Sequence, residues 1–303
     1  DGTNVGTAMV KDIHTTAGTS GAPARVAIVN GTLFLSAADA TNGTELWKSD
    51  GTTAGTVLVA NINAGATSSS PTLLRAVGNT LFFAATDTTT NGQELWKSDG
   101  TSTTMVKNIN PTANASSSIS TPVAVGSLLY FSANDGTNGA ELWRSDGTVP
   151  GTVLVKNINP SASTGSSITS ITPVGSLVFF SASDGTNGQE LWVSDGTTAG
   201  TALVKDINPG SVNSSPANLV SYNGALYFSA TDGVNGTELW RSDGTATGTV
   251  MLRDILIGAG ASSPANFREH NGLLYFAAGD SFGTELWRTD GTANGTVQVK
   301  DIN

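Results

Sequence analysis

The sequence predicts an all-β fold: a six-bladed β-propeller with four antiparallel strands per blade and one surplus outer strand at a chain terminus, forming a single domain over residues 1–303. Three observations predict it. Glu-Leu-Trp recurs at Glu45-Leu46-Trp47, Glu94-Leu95-Trp96, Glu141-Leu142-Trp143, Glu190-Leu191-Trp192, Glu238-Leu239-Trp240 and Glu285-Leu286-Trp287, which uses all six tryptophans at spacings of 49, 47, 49, 48 and 47. Each repeat carries four short apolar runs divided by turn residues, with no helical periodicity. Four strands in a unit of about 48 residues match a propeller blade, whereas a solenoid coil is shorter and a sandwich does not repeat six times.

The unit Ser214 to Ile255 shows the four strands, A to D, in order. Strand A lies in Ser214–Tyr222 and ends at Asn223-Gly224, a two-residue hairpin signal. Strand B is Ala225-Leu-Tyr-Phe-Ser-Ala230, apolar almost throughout, as a strand covered on both faces must be. Thr231 to Gly236 is turn chemistry, and Glu238-Leu-Trp-Arg-Ser242 follows as strand C. Asp243-Gly244 turns the chain into strand D, which closes at Ile255. The tryptophan of strand C, large and always at the same place, is expected to fill the gap between adjacent blades.

The two ends complicate the count. Lys-Asp-Ile or a close variant ends at Ile13, Ile62, Ile109, Ile158, Ile207, Ile255 and Ile302, so strand D occurs once more than Glu-Leu-Trp. Residues 1–13 are placed to serve as strand D of the last blade, and 291–303 is a second copy; both cannot fill one slot. Either one copy lies at an edge, or the chain is cut from a longer array, or the spare strand pairs with a neighbouring molecule, since an unpaired edge strand invites association. Asp1-Gly2-Thr3 sits mid-repeat, which suggests a mature product or an excerpt.

At these motifs the chain resembles the bacterial ELWxxDGT-repeat proteins over essentially its whole length. The strand order is similar to that of kelch repeats, and Ser-Asp-Gly-Thr is similar to the Asp-box hairpin of sialidase propellers. The resemblance implies a propeller in a secreted or cell-surface protein and brings no catalytic or ligand residues with it.

Composition removes several function classes. Net charge is −10, against the basic footprint that nucleic-acid binding needs, and no apolar run approaches a membrane span. With no cysteine there are no disulfides or thiolate metal sites. The two histidines, His14 after a strand D and His270 at an A–B turn, are expected on opposite faces and so outside any shared triad. No blade supplies the single odd carboxylate pair of a glycosidase.

The B–C loops are the strongest candidate site. Each places an Asp, and in most blades an Asn, shortly before the Glu of Glu-Leu-Trp, so that Asp135, Asn138 and Glu141, then Asp184, Asn187 and Glu190, then Asp232, Asn235 and Glu238 offer the oxygen ligands that Ca²⁺ prefers. The competing reading has Asp and Asn capping their own turns while Glu pairs with a hydroxyl or amide of the next blade. The aspartates of Ser-Asp-Gly-Thr read as Asx-turns, and the sequons at Asn30, Asn42, Asn114, Asn213, Asn235 and Asn294 as by-products of Asn-Gly turns. The sixth B–C loop puts Phe282 where the others have Asn. Variable D–A loops share the rim with the acidic B–C loops, and a protein or glycan partner is expected there. Together these readings point to a non-catalytic extracellular interaction or structural module of a secreted or cell-surface protein, with no enzymatic activity. The alternative is a carbohydrate-binding lectin with repeated shallow, calcium-dependent sites.

Overall fold

The computed structural model describes residues 2–87, 91–161 and 165–301. The first sheet holds β1 (Ala24–Val29), β2 (Thr32–Asp39), β3 (Gly43–Ser49) and β4 (Val57–Ala60). The second holds β5 (Thr72–Val77), β6 (Thr80–Thr86), β7 (Gln93–Ser98) and β8 (Thr103–Lys107). Next come β9 (Ser120–Val125), β10 (Leu128–Asn134), β11 (Ala140–Ser145) and β12 (Val153–Lys156). The fourth sheet is β13 (Thr169–Val174), β14 (Leu177–Ser183), β15 (Gln189–Ser194) and β16 (Ala202–Lys205). β17 (Ala217–Tyr222), β18 (Ala225–Thr231), β19 (Thr237–Ser242) and β20 (Val250–Arg253) form the fifth. β21 (Ala265–His270), β22 (Leu273–Asp280), β23 (Gly283–Thr289) and β24 (Val297–Lys300) form the sixth. Each sheet is a meander in chain order, which is the six-bladed propeller fold that the repeat predicts.

Two compact units are distinguished, Asp1–Thr137 with Arg144–Val153 and Asn138–Trp143 with Leu154–Asn303. In the second unit, Val174, Phe179 and Leu191 of the fourth sheet meet Leu226, Phe228 and Trp240 of the fifth. Tyr227 and Leu239 of the fifth meet Leu274, Phe276 and Trp287 of the sixth. The first unit repeats this with Phe34 and Leu46 against Leu81 and Phe83. Strand B is apolar almost throughout because alternate residues serve opposite neighbours, one set given forward and one received from behind. In the second unit the strand D cation also lies over the tryptophan of the next sheet, with Lys205 Nζ 5.9 Å from the Trp240 ring and the Arg253 guanidinium 5.8 Å from that of Trp287.

Strand A carries a defect that the sequence does not announce. Ala217 pairs with Ser229 and Val220 with Tyr227, so one extra residue is accommodated in β17. Asn218 takes a positive φ of 55° there, as do Leu73 at 58°, Ser170 at 57° and Asn266 at 59° in the corresponding strands.

The expectation for the termini is revised. Among the described residues, 2–13 form no strand, and β24 takes the strand D place on β23. The N-terminal segment lies instead against the β3–β4 hairpin, with Lys11 Nζ donating to the Thr56 carbonyl at 2.7 Å and Thr53 Oγ1 to the Val10 carbonyl at 2.6 Å. Lys156 and Thr198 make the same pair of bonds between β12 and the β15–β16 hairpin. The surplus copy thus docks as a strand D would dock on the following blade, without being part of a sheet.

Candidate functional site

The glutamate that opens every Glu-Leu-Trp is sealed inside the rim. Glu238 is fully buried. Its Oε2 accepts from the Ile255 amide at 2.8 Å and the Ser262 hydroxyl at 2.6 Å, and its Oε1 from the Ser262 amide at 2.9 Å. The Ser262 carbonyl in turn accepts from the amide of Gly279 at the end of β22. One serine therefore ties the glutamate of the fifth sheet to the second strand of the sixth. Glu45 with Ser69, and Glu190 with Ser214, repeat the arrangement. Burial raises the pKa of Glu45, Glu190 and Glu238, and pushes Glu94 up to about 7, against the opposing pull of the hydrogen bonds each carboxylate accepts.

The B–C loop aspartates sit in a different network. Asp184 Oδ1 accepts from the amides of Thr186 and Asn187, and its Oδ2 from the Asn187 side chain at 2.7 Å. Asp232 is bound by Val234 and Asn235 in the same way. Backbone and side-chain donors hold both carboxyls below the usual value in spite of burial, the largest single influence, which acts in the opposite direction. Asp135 Oδ1 accepts from the Thr137 amide. The loops do meet the D–A loops, as expected: a β-carbon on Gly233 would lie 2.6 Å from Asn208 Oδ1.

The nine residues proposed for calcium are thus divided. Glu141, Glu190 and Glu238 turn their oxygens to the amides of Ile158, Ile207 and Ile255, while the Asp184–Asn187 and Asp232–Asn235 pairs close their own turns. Among the described residues, no group of three or more His, Asp or Glu is arranged to hold a metal ion. A finer irregularity appears at the end of strand D. Asn157 donates its side-chain amide to Asn138 Oδ1 at 2.8 Å, as Asn108 does to Asn91 and Asn61 to Asn42. The fourth and fifth repeats have Asp206 and Asp254 at that place, which lack the amide donor; the Oδ1 of each is buried without a hydrogen-bond partner, as are those of Asn108 and Asn157.

Both histidines bond to near neighbours in the chain. The Thr19 hydroxyl lies 2.6 Å from His14 Nδ1 but donates its one proton to the Thr16 carbonyl at 2.5 Å, so it accepts from the ring. His270 Nε2 pairs with the Asn271 amide at 3.1 Å, and its ring lies 6.2 Å from that of Tyr275.

A ligand-sized opening lies between the first strands of the fifth and sixth sheets. A cavity of about 270 Å³ separates β17 from β21 and is lined by Asn218, Leu219, Val220, Asn266, Phe267 and Arg268. The left-handed residues place it: the bulges at Asn218 and Asn266 turn two amides to solvent. Asn218 Nδ2 donates to the Pro264 carbonyl at 3.2 Å, and Arg268 Nη1 to the Phe267 carbonyl at 2.7 Å, so Arg268 keeps donors for a ligand. Sequence reasoning missed this cleft, since a bulge at a non-glycine residue leaves no compositional mark.

No family model matches the chain, and no curated protein matches it. Among solved structures, it is similar to the computationally designed protein Ika8 at 15% identity, over 91% of this chain and 73% of that one, with a TM-score of 0.49. A puromycin hydrolase is similar at 12% identity over 94% of this chain and 54% of that one, with a TM-score of 0.49. A prolyl endopeptidase is similar at 12% identity, over 92% of this chain and 43% of that one, with a TM-score of 0.53. The chain spans about half the length of these two enzymes. The propeller that matches nearly all of this chain belongs to a peptidase. This finding corrects the expectation of a non-catalytic extracellular interaction or structural module, and with it the lectin alternative and the exclusion of enzymatic work.

Proposed function

We propose that the chain is the propeller portion of a peptidase-type hydrolase, in which it receives the peptide. The observation that carries this reading is the fold likeness to prolyl endopeptidase, an enzyme studied for the role of inter-domain dynamics in catalysis and specificity. The cleft between β17 and β21 supplies chemistry suited to it. The Asn218 carbonyl oxygen offers an acceptor and the Asn266 side chain a donor to a peptide backbone, Phe267 and Val220 provide apolar wall, and the Arg268 guanidinium matches a carboxylate.

The test is calorimetric titration of the chain with short proline-containing peptides, each with a free and with an amidated C-terminus. Saturable binding is expected, weakened at least tenfold by Arg268→Ala and by amidation. Absence of binding to every peptide, or binding that ignores Arg268→Ala, would overturn the proposal.

A further inference from the structure

Exposed apolar side chains collect on one stretch of the rim in the second unit. Val212 of the loop after β16 is 59% exposed, Val234 of the β18–β19 loop 69%, and Ile257 of the loop after β20 88%. The loops that bear them touch from one to the next. A β-carbon on Gly188 would stand 2.6 Å from the Val212 carbonyl oxygen, one on Gly233 2.6 Å from Asn208 Oδ1, and one on Gly236 would overlap the Gly260 carbonyl. The β14–β15 loop, the loop after β16, the β18–β19 loop and the loop after β20 therefore run as one ridge. Asn208 Nδ2 donates to the Asn213 carbonyl at 3.1 Å, and Asn213 Oδ1 accepts from the Gln189 amide at 2.8 Å, so the Val212 turn is held in place before anything binds. A single exposed valine is ordinary, whereas three apolar tips on one fastened ridge form a surface of the kind that partners cover. Thr41, Thr137 and Thr186 take the place of Val234 in three other loops, so the turn itself does not require an apolar residue there.

The charge around the ridge is of one sign. Asp184 and Asp232 open two of its loops, and Asp206 and Asp254 stand at the feet of the other two, where the first three repeats have the neutral Asn61, Asn108 and Asn157. Between Asn157 and Phe267 the cations are Lys205, Arg241 and Arg253 alone. Lys205 Nζ donates to the Thr249 carbonyl at 2.9 Å, Arg253 Nη1 donates to the Thr296 carbonyl, and Arg241 bonds the Tyr227 hydroxyl. All three are committed to groups outside the ridge. Its loops thus hold four carboxylates beside their apolar tips and no cation of their own.

We infer that this ridge docks a cationic amphipathic segment of a partner protein. The apolar side of the segment lies over Val212, Val234 and Ile257, and its lysines or arginines flank them in the field of Asp184, Asp206, Asp232 and Asp254. The charge decides the occupant. An acidic or neutral partner could cover the same tips only without this attraction, and an anionic lipid surface is repelled by it. The ridge shares no residue with the cleft between β17 and β21, so the inference stands apart from the peptide-receiving role.

Fluorescence anisotropy with a labelled helical peptide of leucine and lysine tests the inference. Saturable binding to the wild-type chain is expected, weakening as salt is raised. Val234→Thr combined with Ile257→Ser is expected to weaken it about tenfold. Threonine already stands at the first position in other loops and Ile257 is exposed, so an unchanged circular dichroism spectrum is expected. Asp206→Asn combined with Asp254→Asn, which installs the residue of the first three repeats, is expected to weaken binding by a similar factor. Glu269→Gln, which removes an exposed charge outside the ridge, is expected to leave it unchanged. Affinity that is unaltered in either double variant, or that falls equally in Glu269→Gln, would overturn the inference. So would equal affinity for a peptide with glutamate in place of lysine, or no binding of the leucine–lysine peptide at all. Sedimentation with phosphatidylcholine vesicles that is abolished by Val234→Thr with Ile257→Ser would give the ridge to a lipid surface, and overturn it as well.

Discussion

The fifth and sixth sheets have nearly the same sequence and the same strand pairing, yet they differ in burial. Leu239 of β19 is fully buried, whereas Leu286 of β23 is 41% exposed. Tyr227 is buried and Tyr275 only partly so. The difference does not arise within the sheets, because Trp287 and Phe276 on the opposite face of the sixth remain buried. A blade of this kind has no core of its own; its apolar residues are completed by the sheet that follows.

The comparison breaks most sharply at the leucines. Leu239→Ala is expected to lose about 3 kcal/mol through the cavity it leaves, and Leu286→Ala under about 1 kcal/mol. Urea unfolding at a concentration where the chain is monomeric measures both, and equal losses would mean that the sixth sheet is covered. A smaller effect concerns the buried glutamates. The Glu94 carboxyl titrates at about 7 in the folded chain against an ordinary 4.5, so the folded state holds its proton more tightly. Its contribution is complete below pH 4.5 and is lost as pH rises to about 7, amounting to roughly 2 kcal/mol after allowance for screening. Glu45, Glu190 and Glu238 shift in the same direction. Melting temperature is therefore expected to fall between pH 4.5 and 7. In Glu94→Gln the slope flattens although the protein is weaker throughout, because an amide group then faces backbone donors. A slope unchanged by the substitution would remove Glu94 as its source. The smallest effect lies inside the fourth and fifth sheets. Asp206→Asn and Asp254→Asn restore the amide that Asn157 uses on Asn138, and each is expected to stabilise the fold by about 1 kcal/mol in urea unfolding. If instead calcium raised the wild-type melting temperature and lost that effect in both variants, those oxygens would belong to a cation.

Much of this was legible in the residues. Strands B and C and the turns that follow them are written in apolar runs, Asn-Gly pairs and Asp-Gly pairs, and the expected four strands appear in every repeat. The recurrence of Glu in every blade also pointed to a shared structural duty, and Ser69, Ser214 and Ser262 supply the hydroxyl that the structural reading required. Three features were not legible. The left-handed residues of strand A include Leu73 and Thr121, types that carry no turn signal of their own. The exposure of Leu286 depends on what stands opposite it, which no local pattern records. And Val10–Ile13 reads as a strand although its partners are a lysine bond and a threonine bond, not a ladder.

The serine–glutamate tie has a practical consequence for the connections it fastens. Glu238 holds Ile255 at one end of a D–A loop and Ser262 at the other, while Glu94 does the same for Ile109 and Ser117, with one residue more between them. The loop's two feet are thus nailed to one carboxylate, and what lies between is free to vary in length. Each D–A loop is a port for foreign sequence: a peptide inserted after Ile257 would emerge from the rim with its ends already held together.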